Sequence, residues 1–168
     1  LGETLTETAA STGAIMVMLA IIMVMARILV MEDGPGMILD LLMAISPNKY
    51  VILLMLNIFL VIIGMIMDDV SGTLLCTPIL IPIAIELGIS PYQMAAILGV
   101  NLGMGNITPP TAPFLYVGSR IFKTSAKEMI GPCLKIILFA YVPTLILTTY
   151  VPQISLWLPM HILPNVAF

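Results

Sequence analysis

The residues best suited to bind a solute lie in a short interruption of an apolar segment, at positions 101–113. This stretch contains two glycines and three prolines among the side-chain oxygens of Asn101, Asn106 and Thr108. Proline lacks a backbone donor and glycine tolerates non-helical backbone, so an intact helix is not expected to run through it. Interrupted backbone at membrane depth persists only where it is buried in protein or lines a cavity. The pattern therefore predicts a binding site at the interruption.

The chemistry of this first cluster is that of hard oxygen ligands. Its members are Asn101, Gly103, Gly105, Asn106, Thr108, Pro109 and Pro110. Carbonyl, amide and hydroxyl oxygens suit Na⁺ and similar cations. The helix end before such a break exposes carbonyls, and the helix start after it exposes N–H groups that attract anions. We expect the break to bind Na⁺, mainly through Gly103, Asn106 and Thr108, and to help hold a carboxylate. The alternative is a proline kink in a packed helix.

A second cluster follows the apolar run at 50–67. It consists of Asp68, Asp69, Ser71, Gly72 and Thr73. An aspartate at the centre of a bilayer costs about 3 kcal/mol on insertion scales, so these carboxylates need a partner or an interface. In one interpretation they mark a helix end in a solvated loop. In the other, they hold a cation together with the neighbouring hydroxyls.

The composition identifies an integral membrane protein. Of the 168 residues, 60% are hydrophobic and only 9% are charged, whereas soluble domains carry roughly 25% charged residues. The net charge of −3 provides no basic surface for nucleic acid. The chain begins at Leu1 with apolar sequence close behind, and we expect it to be the C-terminal piece of a longer polypeptide whose N-terminal half is missing.

The elements around the clusters can be read from the apolar runs. We expect a loop at 1–10 with a helix cap at Ser11 or Thr12, a span at 12–31, a stop at 32–36 and a short interfacial helix at 37–49. A re-entrant hairpin should follow at 50–87, with its tip at 68–73. After it we expect a discontinuous helix with halves 91–102 and 114–122, and a last span at 132–150 kinked by Pro143. The run at 74–87, with Pro78 and Pro82, is too short and broken for an ordinary span.

The basic residues predict the orientation. Four of the six, Arg120, Lys123, Lys127 and Lys135, lie from the end of the discontinuous helix to the start of the last span. The positive-inside tendency makes this connection cytoplasmic. The tail after Tyr150, with Trp157 at the depth of an aromatic belt, then lies on the periplasmic side.

Five segments, in order, resemble the large membrane subunit of tripartite ATP-independent periplasmic (TRAP) transporters. They are Gly64-Met-Ile-Met-Asp68, Thr77-Pro-Ile-Leu-Ile-Pro82, Gly88-Ile-Ser-Pro91, Asn101-Leu-Gly-Met-Gly-Asn-Ile-Thr-Pro-Pro110 and the Pro-x-x-Ser-Leu-Trp-Leu-Pro segment at 152–159. The resemblance covers nearly the whole chain but only the C-terminal part of such a subunit.

The resemblance implies an all-α, elevator-type ion transporter fold, of which this chain supplies the second inverted repeat. Residues 50–122 would belong to the transport domain, with Asp68 near the hairpin tip and one Na⁺ site at Gly103 to Pro110. Residues 1–49 would form a span and an interfacial helix of the scaffold or arm, and residues 123–168 the cytoplasmic loop, last span and periplasmic tail.

The resemblance also implies a function and partners. It predicts Na⁺-coupled uptake of an organic acid, such as a C4-dicarboxylate or a sialic acid, across the bacterial inner membrane. The partners would be a small membrane subunit, a periplasmic substrate-binding protein and the missing half of the same subunit, with no cofactor beyond the coupling ion. The alternatives are a non-transporting scaffold subunit and an intramembrane aspartyl protease. The protease needs two carboxylates on separate helices, whereas Asp68 and Asp69 are adjacent.

Overall fold

The computed structural model describes residues 2–109 and 112–162, with Pro113 through its backbone only. Within these ranges all regular secondary structure is helical, which confirms the all-α prediction, and four helices are long and apolar enough to cross a membrane. The elements are α1 (Gly2–Met31), α2 (Gly34–Ile45), α3 (Lys49–Ile66), α4 (Asp69–Glu86), α5 (Pro91–Gly105), α6 (Pro113–Phe122), α7 (Ala126–Ile136), a π-helical turn (Ile137–Tyr141), α8 (Val142–Tyr150) and α9 (Pro152–Ile162).

Helix α1 is longer than predicted. The loop expected at 1–10 is wrong from Gly2 onward, and neither Ser11 nor Thr12 caps a helix, because α1 runs through them for 30 residues. The hydroxyls of Thr6 and Thr8 donate to carbonyls one turn earlier, at 2.9 and 2.7 Å, so the polar sequence is satisfied inside the helix. The predicted stop is a short turn at 32–33, and the short helix expected after it is α2.

Helices α3 and α4 form the predicted helix pair, but the turn between them is tighter than expected. Only 67–68 lie outside the helices, so the predicted tip at 68–73 is wrong from Asp69 onward, because residues 69–73, with Ser71, Gly72 and Thr73, are helical. Helix α4 also continues through Pro78 and Pro82 for 18 residues, so the expectation of a broken run at 74–87 is wrong. Because the two prolines are four residues apart, the backbone N–H groups that they lack fall on one face of α4. The other backbone hydrogen bonds of the helix are not affected.

The core lies where α3, α4 and α5 pack together. Helices α3 and α5 run in the same direction: the Lys49 ammonium donates to the Gly88 carbonyl at 3.0 Å at one end, and Gly64 lies against Gly105 at the other. The apolar residues of the three helices that are almost fully buried are Ile52, Leu53, Leu56, Leu60, Cys76, Leu80, Ile83, Ala84, Met94, Ile97, Leu98 and Leu102.

The discontinuous helix is present, with different bounds. The first half extends to Gly105 instead of ending at 102, so Gly103 and Gly105 are helical, and the described residues 106–109 and 112 lie outside the helices. Isolated glycines weaken a helix by only about 1 kcal/mol each, which packing against α3 readily offsets. Helix α6 begins at Pro113, where the sequence places the second half.

The last span contains its irregularity just before Pro143. A π-helical turn at 137–141 separates α7 from α8, consistent with a proline that removes one backbone donor. Helix α8 runs against α5 in the opposite direction, since Tyr141 lies beside Gly103 and Thr149 beside Gln93. The segment after Tyr150 forms α9 as far as Ile162, and residues 163–168 of the predicted tail lie outside the described residues.

Three interruptions of helical structure meet at one level of the molecule. The α3–α4 turn reaches it through Gly64 and Gly72, the end of α5 through Leu102 and Gly105, and the π-helical turn through Tyr141. Tyr141 is also the midpoint of the apolar run at 132–150. The α3–α4 turn, the end of α5 and the π-helical turn therefore lie at about the same level of the molecule.

Candidate ion site at the helix break

Asn106, the residue that ends α5, is a buried amide without a partner. Its side chain is 1% exposed, and neither Oδ1 nor Nδ2 has a hydrogen-bond partner among the described residues. Its backbone is engaged: the N–H donates to the Leu102 carbonyl at 3.1 Å, and the carbonyl accepts from the N–H of Phe114 at 3.4 Å across the break. Buried polar groups are usually paired, so an orphaned amide at such a position indicates a ligand or an ordered water.

The backbone around Asn106 changes its hydrogen-bond pattern. The N–H of Ile107 would bond to the Gly103 carbonyl in a continued α-helix, but it donates to the Met104 carbonyl at 3.3 Å. The Gly103 carbonyl therefore loses its usual helical partner. The hydroxyl of Thr108 donates to the same Met104 carbonyl at 2.6 Å, which leaves its oxygen lone pairs available.

Three oxygens with free lone pairs thus lie within six residues of the chain: the Gly103 carbonyl, Asn106 Oδ1 and Thr108 Oγ1. They are the residues that the sequence marks as the main Na⁺ ligands, and all are uncharged hard ligands. Pro109 is half-buried beside them, and Pro110 lies outside the described residues. The Gly105 carbonyl, also predicted as part of this cluster, accepts from the N–H of Thr108 at 3.0 Å, so one of its two lone pairs is occupied.

The start of α6 differs from a typical anion site. The N–H of Phe114 donates to Asn106, and those of Leu115 and Tyr116 donate to the Ala112 carbonyl at 2.9 and 3.3 Å. Pro113 has no donor. The N–H groups that were expected to help hold a carboxylate are therefore already paired.

At the hairpin turn, Asp68 serves as a helix cap. Its Oδ2 accepts from the N–H of Ser71 at 3.0 Å and starts α4. Asp68, Asp69 and Thr73 are exposed, whereas Ser71 and Gly72 are buried. This geometry matches the helix-end interpretation of the carboxylates.

The two predicted clusters meet through Leu102. Both Gly72 and Gly64 lie close against Leu102. A Cβ atom added to Gly72 would lie 3.0 Å from a methyl group of Leu102, and one added to Gly64 would lie 3.0 Å from the Leu102 Cα. The first turn of α4 therefore packs on the last turn of α5. The structure brings Gly72 beside the break, while the two carboxylates remain exposed at the turn.

A buried polar relay also joins three helices, and the sequence analysis assigned only one of its members. The amide nitrogen of Asn101 donates to Asn57 Oδ1 at 2.7 Å, and that of Asn57 donates to Thr149 Oγ1 at 3.1 Å. The side chains of Asn57, Asn101 and Thr149 are at most 5% exposed, and within the described part of the chain Asn101 Oδ1 has no hydrogen-bond partner. We call these three residues the amide relay.

Gln93 adds a further link between α5 and α8. Its Nε2 donates to the carbonyls of Thr148 and Thr149 at 3.3 and 2.9 Å, and its side chain is buried. A single amide inside an otherwise apolar span, such as Asn57, is the signal that points to such contacts, because it needs a partner on a neighbouring helix.

Comparison with known proteins adds an independent result. The family model for the DctM component of tripartite ATP-independent periplasmic transporters matches residues 1–154. This chain belongs to that family. Membership confirms the resemblance noted in the sequence, and it points to transport and not to catalysis. With four apolar helices of sufficient length among the described residues, the chain is part of a multi-pass membrane protein.

Several curated relatives agree with the family. YgiK of Salmonella typhimurium, an uncharacterized protein, is 33% identical over 98% of this chain and 38% of its own length. The C4-dicarboxylate TRAP transporter large permease protein DctM of Pseudomonas aeruginosa is 34% identical over 94% of this chain and 36% of its own length. The sialic acid TRAP transporter large permease protein SiaM of Vibrio cholerae is 31% identical over the same shares. The chain thus spans little more than a third of these DctM-family relatives.

Proposed function

We propose that this chain forms part of a permease that couples Na⁺ entry to the uptake of an organic acid across the bacterial inner membrane. The observation that carries the proposal is Asn106, a fully buried amide without a partner at the end of a broken helix. Leaving such a group unsatisfied costs about 1–3 kcal/mol. A cation held by Asn106, Thr108 and the Gly103 carbonyl would remove that cost.

The names of the relatives indicate the class of cargo. Those named above include permeases for C4-dicarboxylates and for sialic acid, both organic acids. We propose a substrate of this class for the polypeptide that carries this chain. As in the tripartite system that gives the family its name, the partners would be a small membrane subunit, a periplasmic binding protein and the remainder of the large subunit.

The depth of the α3–α4 turn supports a re-entrant hairpin and an elevator-type fold. A cleft between α1 and α4 is lined by Met23, Ala26 and Arg27 on one side and by Thr73 and Thr77 on the other. The turn therefore faces the middle of the apolar run at 12–31, and the preceding part of α1 extends about 30 Å beyond it. If α1 and the last span cross the bilayer, the turn and the break both lie near its midplane, where transporters place their sites.

Replacing Asn106 by leucine tests the cation site. In the detergent-purified polypeptide that carries this chain, the leucine variant should melt at a higher temperature than the wild type without Na⁺, because an unpaired amide is removed. The wild type should gain melting temperature when NaCl replaces choline chloride, and the variant should not. Gln93→Met, which removes a buried but paired amide, should lower the melting temperature and keep the Na⁺ response.

Two outcomes would reject the proposal or shift it. A wild-type protein without any Na⁺-specific stabilisation would favour the non-transporting scaffold subunit. An unchanged Na⁺ response in Asn106→Leu would mean that the cation binds away from the break.

The aspartyl protease has no support in the geometry: all nine Asp and Glu residues of the chain fall in the described ranges, and each is exposed.

A further inference from the structure

We propose that Asn57 and Thr149 are positioning residues for Asn101, which they hold with its amide oxygen free to coordinate the coupling cation. This inference rests on the proposed function and adds two residues to it. Neither Asn57 nor Thr149 lies in the broken segment. Asn57 of α3 contacts Asn101 directly, and Thr149 of α8 contacts Asn57.

The hydrogen bonds fix which way the Asn101 amide points. Its nitrogen donates to the Ile97 carbonyl and to Asn57 Oδ1, both at 2.7 Å, so both of its hydrogens are used. A backbone carbonyl can only accept, so the nitrogen and not the oxygen must face Ile97. The oxygen is left unpaired in a side chain with no exposed surface.

The Asn57 amide is in turn fixed by its neighbours. Its oxygen faces the donating nitrogen of Asn101, which leaves its own nitrogen to donate to Thr149 Oγ1 at 3.1 Å. Loss of Asn57 would leave one N–H of a fully buried amide without an acceptor, and the Ile97 carbonyl alone would then hold the Asn101 side chain. Loss of the Thr149 hydroxyl would release Asn57 in the same way.

The residue that carries the free oxygen lies one turn before the break. Asn101 precedes Gly105 by four residues and shares its face of α5, and Gly105 is the last residue before the interruption. Asn101 Oδ1 is thus an uncharged, desolvated oxygen on the turn of α5 that leads into the segment with Gly103, Asn106 and Thr108. A dehydrated cation is stabilised by such ligands, and their fixed orientation lowers the reorganisation needed to bind it.

The test compares apparent Na⁺ affinity with thermal stability in the same purified polypeptide. Asn57→Leu and Thr149→Val should each weaken apparent Na⁺ affinity about tenfold, the effect of losing one oriented ligand. Thr149→Ser keeps the hydroxyl and should retain wild-type affinity. The double variant Asn57→Leu/Thr149→Val should be no weaker than either single variant, because both act through the same amide.

Gln93→Met is the matched control for packing. It removes buried hydrogen bonds between α5 and α8, whereas Thr149→Val removes one between α3 and α8, and it does not touch the Asn101 amide. It should lower the melting temperature without a change in Na⁺ affinity. Equal losses of affinity in Gln93→Met, or unchanged affinity in Asn57→Leu and Thr149→Val, would overturn the inference. Absence of a Na⁺ response in the wild type would instead reject the proposed function.

Discussion

Gly64 of α3 and Gly105 of α5 bring the backbones of the two helices into direct contact. A Cβ on Gly64 would lie 3.0 Å from the Leu102 Cα and 3.2 Å from the Gly105 Cα, and a Cβ on Gly105 would overlap the backbone of Gly64. Neither helix can hold a larger residue here without moving. The contact fixes the end of α5, and with it the start of the break, against the hairpin.

Gly105→Ala should therefore destabilise the protein by about 2 kcal/mol or more, because the added methyl group meets backbone that cannot rotate away. Gly99→Ala is the matched control on the same helix, since a Cβ there meets nothing within 4 Å. It should be neutral or stabilise by up to about 1 kcal/mol through helix propensity. Unfolding in mixed micelles measures both changes. A Gly105→Ala variant as stable as Gly99→Ala would mean that the two backbones are not in contact.

Thr108→Val should weaken apparent Na⁺ affinity about tenfold, because it removes an oxygen from the proposed ligand set at nearly constant volume. Thr108→Ser keeps that oxygen and its 2.6 Å hydrogen bond to the Met104 carbonyl, and should bind Na⁺ as the wild type does. Na⁺ titrations of melting temperature give both affinities. If valine and serine behave alike, Thr108 is not a ligand.

Asp68→Ala should lower the free energy of unfolding by about 1 kcal/mol through loss of the α4 cap, whereas Asp68→Asn should preserve it, because asparagine caps equally well. Asp69→Asn is the control, since Asp68 is the residue that accepts the N–H of Ser71. Chemical unfolding at neutral pH measures these differences. A stable alanine variant would show that the turn does not depend on this cap.

The errors in the helix bounds show where local sequence is insufficient. Gly103 and Gly105 suggest an earlier end to α5, yet the helix continues to Gly105 because contact with α3 requires a residue without a side chain there. Pro78 and Pro82 suggest a broken run, yet α4 is continuous because neighbouring helices cover it. In both cases, packing energy exceeded a local preference of about 1–3 kcal/mol.

The sequence by itself determined that the chain is a helical membrane protein with a helix interrupted between residues 102 and 114. Hydrophobicity, the missing donor of proline and the freedom of glycine are local properties, and they act whatever the rest of the chain does. Only the tertiary structure decided which polar side chains meet. Asn57 is hydrogen-bonded to Asn101, which is 44 positions away in the chain, and to Thr149, which is 92 positions away. Such pairs depend on how helices cross and rotate, and that is set by the sum of many contacts and not by any one segment.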